Sequence, residues 1–339
     1  MIDLRSDTVT KPTPEMLEAM TSAEVGDDVF GEDPTVNKLE EKIASLFGMG
    51  AGLFVPSGTM SNQLAVKVLT GIGDEVLMDE QSHIFNYEST AAALLSSVQI
   101  HPLKGKYGKL NPPLIHDALR GGQDWEPNPA AVVLENSTNK GGGACYNRDE
   151  LETIKETASS LNLRIHLDGA RVWNAITATG VEAHFFGDIA DTMTVCFSKG
   201  LGAPVGSMLL SNKERIRRAR KFRKMMGGGM RQVGILAAAA DYAVDHHWPL
   251  MKEDHRRARR LAETIANCSD LKINLDRVQT NIIIFDVKNG TAEDALERLK
   301  SEDVLMVPFG PKTIRATFHY QVDDEGLDKA QEALKKHFG

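Results

Sequence analysis

At 339 residues, with 42% hydrophobic and 25% charged side chains, the chain allows about two domains and an ample core, which excludes a small disulfide-stapled scaffold, a fibre and wholesale disorder. A formal charge of −8, with no Lys/Arg tract interleaved with aromatics, argues against a nucleic-acid partner. Three scattered cysteines (Cys145, Cys196, Cys268) without a CxxC pair, an acidic N-terminus and no apolar run near the roughly 18 residues of a membrane span point to a cytoplasmic protein, neither secreted nor membrane-inserted.

Along the chain, short apolar runs alternate with longer segments of helical period, the pattern of βα units around a largely parallel sheet. Pro34 to Phe47 reads as a helix with Leu39, Ile43, Leu46 and Phe47 on one face. Leu53–Val55 is a short strand, Pro56-Ser57-Gly58 a turn, and Thr59 opens the next helix. Further strands are expected at Glu75–Asp79, Ala131–Leu134, Arg164–Asp168, Thr192–Phe197 and Val205–Leu210, as near-continuous apolar runs with both sheet faces covered. From about Lys213 follow a very basic helix that reads as a solvated face, the run Gly227-Gly228-Gly229 and an alanine-rich helix. After Trp248-Pro249 come an arginine-rich helix, strands near Lys272–Leu275, Asn281–Val287 and Thr313–Phe318, and helices from Ala292 and Asp324. The expected fold is thus α/β: residues 1–248 form a large domain with a mostly parallel, helix-covered sheet, and residues 249–339 a smaller α+β domain.

Two segments carry the chemistry. Asp168-Gly169-Ala170-Arg171 closes one predicted strand, and Lys199 follows the next strand 31 residues after the aspartate. Ligands of open parallel sheets bind beyond the carboxyl ends of the strands, and about 30 residues make one βαβ crossover, so both side chains are expected on one edge. A lysine and a carboxylate there suit pyridoxal phosphate: the amine forms a Schiff base, and the carboxylate keeps the pyridine nitrogen protonated. On spacing alone, a structural salt bridge explains the pair equally well. Pro56-Ser57-Gly58-Thr59, at a strand–turn–helix junction, is a candidate phosphate cradle, although an ordinary helix cap accounts for the same hydroxyls. Lys224 and Arg231 flank the triple glycine and can add phosphate cations. His83 falls four residues beyond a strand end, where an imidazole either stacks on a cofactor ring and exchanges protons or is simply solvated. Arg171 and Arg315 can each turn a guanidinium toward a substrate carboxylate. Gly48-Met49-Gly50-Ala51-Gly52 lies between a helix and a strand, the reverse of a dinucleotide loop, and no metal, nucleophile-elbow or Walker motif is present.

Collectively these residues resemble the low-specificity L-threonine aldolase family, pyridoxal-phosphate lyases of the aspartate-aminotransferase-like superfamily. The resemblance runs through Ile2–Thr10, Val25–Thr35, Pro56–Thr59, Ser82-His83-Ile84, Asp168–Arg171, Ser198–Gly206 and Gly227–Gln232, in order and over essentially the whole chain. It implies the seven-stranded fold of that superfamily and cleavage of threonine or allo-threonine to glycine and an aldehyde. Lys199 would hold the cofactor, Asp168 its pyridine nitrogen, His83 its ring face, and Gly58 and Thr59 its phosphate. Ser6, Arg171 and Arg315 match positions that grip the substrate carboxylate. Lys224 and Arg231 match phosphate cations that a neighbouring subunit contributes in a homotetramer built as a dimer of dimers. A β-eliminating lyase or transaminase on the same fold is the alternative, and a non-catalytic pyridoxal-phosphate carrier a third reading.

Two positions depart from the family pattern. The usual Glu-Asn-Thr-His-Asn stretch reads Glu135-Asn136-Ser137-Thr138-Asn139, so the histidine that helps hold the β-hydroxyl is Thr138 here, and Phe30 stands where a tyrosine is common. The general base is therefore open, with His83, directly or through a water, as first candidate.

Overall fold

The computed structural model describes residues 1–339. After a two-residue strand β1 (Ile2–Asp3), the chain builds one large sheet from β2 (Ala51–Val55), β3 (Asp74–Asp79), β4 (Gln99–Leu103), β5 (Asn128–Glu135), β6 (Arg164–Gly169), β7 (Thr192–Cys196) and β8 (Ser207–Ser211). The order is β2-β8-β7-β6-β5-β3-β4; β8 runs antiparallel to both neighbours, and every other pairing is parallel. This is the expected mostly parallel, seven-stranded architecture.

Side-chain alternation along the strands separates two apolar layers. Val132, Leu134, Ile165, Leu167, Met193 and Val195 pack on one face with the helices Pro34–Leu46, Arg148–Ser160 and Gly234–His246. Val76, Met78, Ala131 and Val133, with Leu53, Val55 and Leu209, face the opposite layer, formed by the helices Gly58–Leu69 and Lys213–Met225. Both faces are covered, which is why these strands read as continuous apolar runs.

The C-terminal strands β9 (Leu271–Ile273), β10 (Ile282–Val287), β11 (Val304–Leu305), β12 (Val307–Pro308) and β13 (Thr313–Thr317) form a second body. Four of them make an antiparallel sheet, β12-β13-β10-β9, while β11 pairs in parallel with β1. Ile2 and Leu4 lie in this second core, and the Thr317 N–H donates to the Leu4 carbonyl at 2.8 Å. The N-terminal stretch is thereby carried across to the rim of the large sheet, where residues 6–10 meet the ends of β6 and β7.

The basic helix Lys213–Met225 is not wholly a solvated face. Arg223 is buried, with Nη2 paired to Asp28 at 2.5 Å and Nη1 donating to the Phe54 carbonyl at 2.7 Å. A helix can carry one inward arginine when its charge and donors are met this way. His247 is buried at the C-terminus of the helix Gly234–His246, with Nδ1 2.7 Å from the Leu201 carbonyl. No helix is long and apolar enough to cross a membrane.

Candidate active site

Parallel strands deliver their C-terminal ends to one edge, and the functional side chains arise there from four adjacent strands. Asp168 stands near the end of β6, opposite Glu135 at the end of β5 and Thr194 in β7. Lys199 follows β7 by three residues, and His83 follows β3 by four. The Lys199 carbonyl accepts from the Thr10 hydroxyl at 3.0 Å and the Gly202 N–H at 2.8 Å, which fixes its backbone, while its half-buried ammonium has no carboxylate within 4 Å. Its charge acts on Asp7 and on His83, so the amine and the Asp168 carboxylate share one electrostatic neighbourhood.

A relay of hydrogen bonds surrounds Asp168. His166 Nδ1 is 2.9 Å from the Thr192 hydroxyl, and its Nε2 is 3.1 Å from Asn62 Oδ1. Full burial lowers the His166 imidazole to about 4, so the ring is neutral; since Asn62 turns its nitrogen to the carboxylates and its oxygen to the ring, Nε2 is the His166 nitrogen placed to donate to it. Asn62 Nδ2 then donates to both Asp168 Oδ2 (2.9 Å) and Glu88 Oε1 (2.8 Å), while Gln63 Nε2 donates to Glu88 Oε2 at 2.6 Å. His83 Nδ1 lies 2.8 Å from Glu88 Oε1. Burial alone would lower the His83 imidazole; Glu88 and Asp168 outweigh it and raise it above its ordinary value.

Glu135 is buried, accepting from the His83 N–H at 2.8 Å and the Asn139 N–H at 2.6 Å. Desolvation, aided by the charge of Asp168, raises its carboxyl to about 7. Asn139 passes the connection on, its Oδ1 accepting from Arg315 Nη1 at 2.8 Å. Arg315, from β13, also donates to the Arg5 carbonyl (3.0 Å), stacks on Phe309 and leaves its buried Nε without a partner. Burial and the nearby Arg171 lower its guanidinium to about 10.

Arg171 is also buried, but its two-pronged edge is taken: Nε and Nη2 pair with Asp7 at 2.8 and 2.7 Å. The geometry expected for a substrate carboxylate is thus filled from within the chain, leaving Nη1 as the free donor. Burial opposes ionisation of Asp7, yet Arg171, with Lys199 and Asn281, holds its carboxyl down at about 2. Ser6 caps the turn that presents Asp7, its Oγ accepting from the Thr8 N–H at 3.3 Å. Two guanidinium groups, one with an orphaned buried N–H, are held together against their own repulsion, as a carboxylate-binding site requires.

At the other end, Gly58 and Thr59 open the helix Gly58–Leu69, capped by Ser57 Oγ at the Met60 N–H. A Cβ on Gly58 would come within 2.8 Å of Cys196 Sγ, so the bare backbone is what lets the helix start sit against β7. The triple-glycine loop packs at the same corner, Gly228 lying against Met60. In the single chain, however, Arg231 pairs with Asp27 at 2.9 Å and is 54% exposed, and Lys224 is exposed; neither touches Gly58 or Thr59. Phe30 is also exposed. Thr138 is buried, its hydroxyl donating to the Tyr107 carbonyl at 3.0 Å and its side chain packed against Gly108 and Gly141.

A lysine amine without a partner, a buried carboxylate, a helix N-terminus with free first-turn N–H groups and a paired-guanidinium site fit pyridoxal phosphate with an amino-acid substrate. Together with the sheet order, they define a pyridoxal-phosphate-dependent α/β enzyme of the lyase and transferase type. The chain belongs to the beta-eliminating lyase family, whose model matches residues 3–289. It is 39% identical over 328 residues to low-specificity L-threonine aldolase 1 of Arabidopsis thaliana, covering 95% of this chain and 92% of the relative. It is 38% identical over 337 residues to the low specificity L-threonine aldolase of Escherichia coli strain K12, covering 96% of each. The solved threonine aldolase of Leishmania major shares the fold, with a TM-score of 0.86 at 19% identity over 99% of both chains.

Sequence reasoning missed Asn62, Glu88, His166 and Asp7 as parts of this site. Asp7 stood inside a quoted motif beside Ser6, and Asn62-Gln63 interrupt an apolar helix face; both are signals in principle. Glu88 has no local mark.

Proposed function

We propose that this chain cleaves L-threonine, L-allo-threonine and related β-hydroxy-α-amino acids to glycine and an aldehyde, using pyridoxal phosphate. The observation that carries the reading is the convergence, at one sheet edge, of Lys199, Asp168 and His83 with the Arg171–Arg315 pair. Bound there, the cofactor supplies an electron-accepting ring conjugated to the substrate Cα.

Lys199 supplies the amine that links to the cofactor. Asp168, buried and oriented by Asn62, would pair with the ring nitrogen and favour its protonated form. Backbone N–H groups of Gly58 and Thr59 would hold the phosphate, and His83 would meet the ring. Arg315 and the free Nη1 of Arg171, on the Ser6–Asp7 side, would hold the substrate carboxylate and so orient the bonds at Cα. Thr138 has its hydroxyl committed to a carbonyl, so His83 is the base that takes the β-hydroxyl proton.

Exposed Lys224 and Arg231, beside exposed Phe30 and Met225, support assembly with further copies of the chain, a dimer of dimers in which these cations serve a neighbour's phosphate. We further propose a cytoplasmic role supplying glycine.

The test is a panel of β-hydroxy amino acids scored for products. Glycine plus aldehyde supports the reading; ammonia plus keto acid would assign β-elimination, and no turnover a carrier. Borohydride reduction should fix the cofactor on Lys199, and Lys199→Ala should abolish both adduct and glycine release.

A further inference from the structure

We propose that Glu88 is the positioning residue that makes His83 a base, by holding a proton on Nδ1 so that Nε2 presents its lone pair. The inference rests on the aldolase reading and extends it to a residue outside the strand ends. Glu88 is buried at the end of the short helix His83–Tyr87, and its two oxygens meet three groups: Asn62 Nδ2 at 2.8 Å, Gln63 Nε2 at 2.6 Å and His83 Nδ1 at 2.8 Å. Two of these can only donate. Asn62 turns its oxygen to His166 Nε2 at 3.1 Å and its nitrogen to the two carboxylates, while Gln63 turns its nitrogen to Glu88 with its own oxygen unpartnered. The oxygen of Glu88 that faces the ring accepts, as it does from the Asn62 amide, so the hydrogen of the third bond belongs on His83 Nδ1. His83 Nε2 makes no hydrogen bond within the chain.

The same amide nitrogen of Asn62 also binds Asp168, so the group serving the cofactor nitrogen and the group orienting the base share one donor. The charged groups facing His83 are Glu88 from its own helix, Asp168 from β6, Glu135 from β5, through the His83 N–H, and Lys199 beyond β7. Only Glu88 touches the ring nitrogen.

In the reaction the β-hydroxyl O–H bond breaks and an N–H bond forms at Nε2. The oxygen pair becomes the aldehyde C=O as Cα–Cβ opens, and that bond's pair stays on the glycine carbon. The proton taken from the hydroxyl equals the one glycine gains, so no co-reactant is needed. The resulting imidazolium is stabilised by the Glu88 carboxylate.

Glu88→Gln is the test, because it keeps the shape and an oxygen for His83 while removing the charge, and the unpartnered Gln63 Oε1 can turn to accept the new amide. In cofactor-free protein labelled with 15N-histidine, wild-type His83 is expected to titrate above its ordinary value and, when neutral, to carry its proton on Nδ1. In the variant the titration moves down. In loaded enzyme the acid limb of kcat/KM moves the same way and kcat falls about 10- to 100-fold, short of the roughly 10²- to 10⁴-fold of losing a base outright, with KM little changed. A neutral wild-type His83 protonated on Nε2 overturns the proposal without any variant. So does a variant whose His83 titration and acid limb stay in place, whether or not kcat falls. If wild-type enzyme releases no glycine, the aldolase reading fails, while the spectra of cofactor-free protein still decide the Glu88–His83 relation.

Discussion

Replacing Asp7 with asparagine probes the least anticipated contact of the site. The side chain keeps its shape, but one of the two oxygens facing Arg171 becomes an amide donor pointed at a donor, and the buried guanidinium loses its counter-charge. The drop of the Asp7 carboxyl from 3.8 to about 2 corresponds to about 2 kcal/mol of preference for the ionised form in the folded state. Removing one member of a buried pair costs more, roughly 3–5 kcal/mol, because the survivor stays desolvated and alone. With an unfolding entropy of about 2.1 cal/mol/K per residue, a chain of this size should lose about 4–7 °C in melting temperature, read by calorimetry at pH 7. The pH dependence carries the sign. The folded carboxyl is depressed, so its stabilisation is complete above the unfolded value of 3.8 and is lost as pH falls toward 2. The gap in urea midpoint between wild type and Asp7→Asn should therefore hold steady above about pH 4 and narrow below it. A melting shift under 1 °C, or a gap that does not narrow in acid, would refute the claim that this pair is buried and ionised.

Gly58→Ala should weaken cofactor binding and cost about 1–3 kcal/mol, since its methyl would meet Cys196 Sγ at 2.8 Å; cofactor titration and thermal melting check both. Glu135, raised to about 7, is a carboxyl that the folded state keeps protonated longer than the unfolded chain does, so its contribution makes stability fall as pH rises from about 4.5 to 7; that slope should be shallower in Glu135→Gln, measured by urea unfolding. Thr138→Val should lose about 1–3 kcal/mol by leaving the Tyr107 carbonyl unpaired, yet keep glycine release within a few-fold, and a collapse of turnover in a folded variant would give Thr138 a part in the chemistry. Threoninamide, lacking the carboxylate, should lose about 1.5–3 kcal/mol of transition-state binding, or roughly 10- to 150-fold in kcat/KM; cleavage within three-fold of threonine would remove Arg171 and Arg315 from that role.

What the sequence discloses and what it conceals divide along a physical line. Strands of the sheet interior announce themselves because burial on both faces demands continuous apolar runs, and the strand-end motifs at Asp168 and Lys199 follow from parallel topology. Strand β4 does not: Gln99-Ile100-His101-Pro102-Leu103 pairs only with β3, and an edge position tolerates a proline and polar side chains that a central strand rejects. Strand β1 is equally opaque, being two residues paired with Val304 and Leu305 some three hundred positions away. Glu88, Asn62 and His166 have polar side chains satisfied mostly by partners distant in sequence, and no local periodicity encodes such a partner. Arg223 misleads for the opposite reason, since its neighbours in sequence are solvated while its own partners, Asp28 and the Phe54 carbonyl, come from distant turns.

The charges of the site are sorted, and the sorting explains why the missing family histidine need not disable it. Asp168, Glu88 and Glu135 gather around the ends of β5 and β6, while Arg171 and Arg315 stand on the side reached by β13 and the N-terminal turn, with Lys199 between the groups. Asp7 trims the cationic side so that Arg171 brings direction more than net charge. At an effective dielectric near 20, unit charges 4 Å apart interact by about 4 kcal/mol, so a ligand with a cationic ring nitrogen and an anionic carboxylate is aligned one way and opposed the other. Glu135 ties the halves mechanically, gripping the His83 backbone with one oxygen and the Asn139–Arg315 link with the other. A base and a carboxylate clamp suspended from one buried carboxyl keep their spacing whatever occupies position 138. In the proposed reaction an imidazole absent there leaves proton transfer to His83, whose ring nitrogen meets Glu88 and whose backbone N–H meets Glu135.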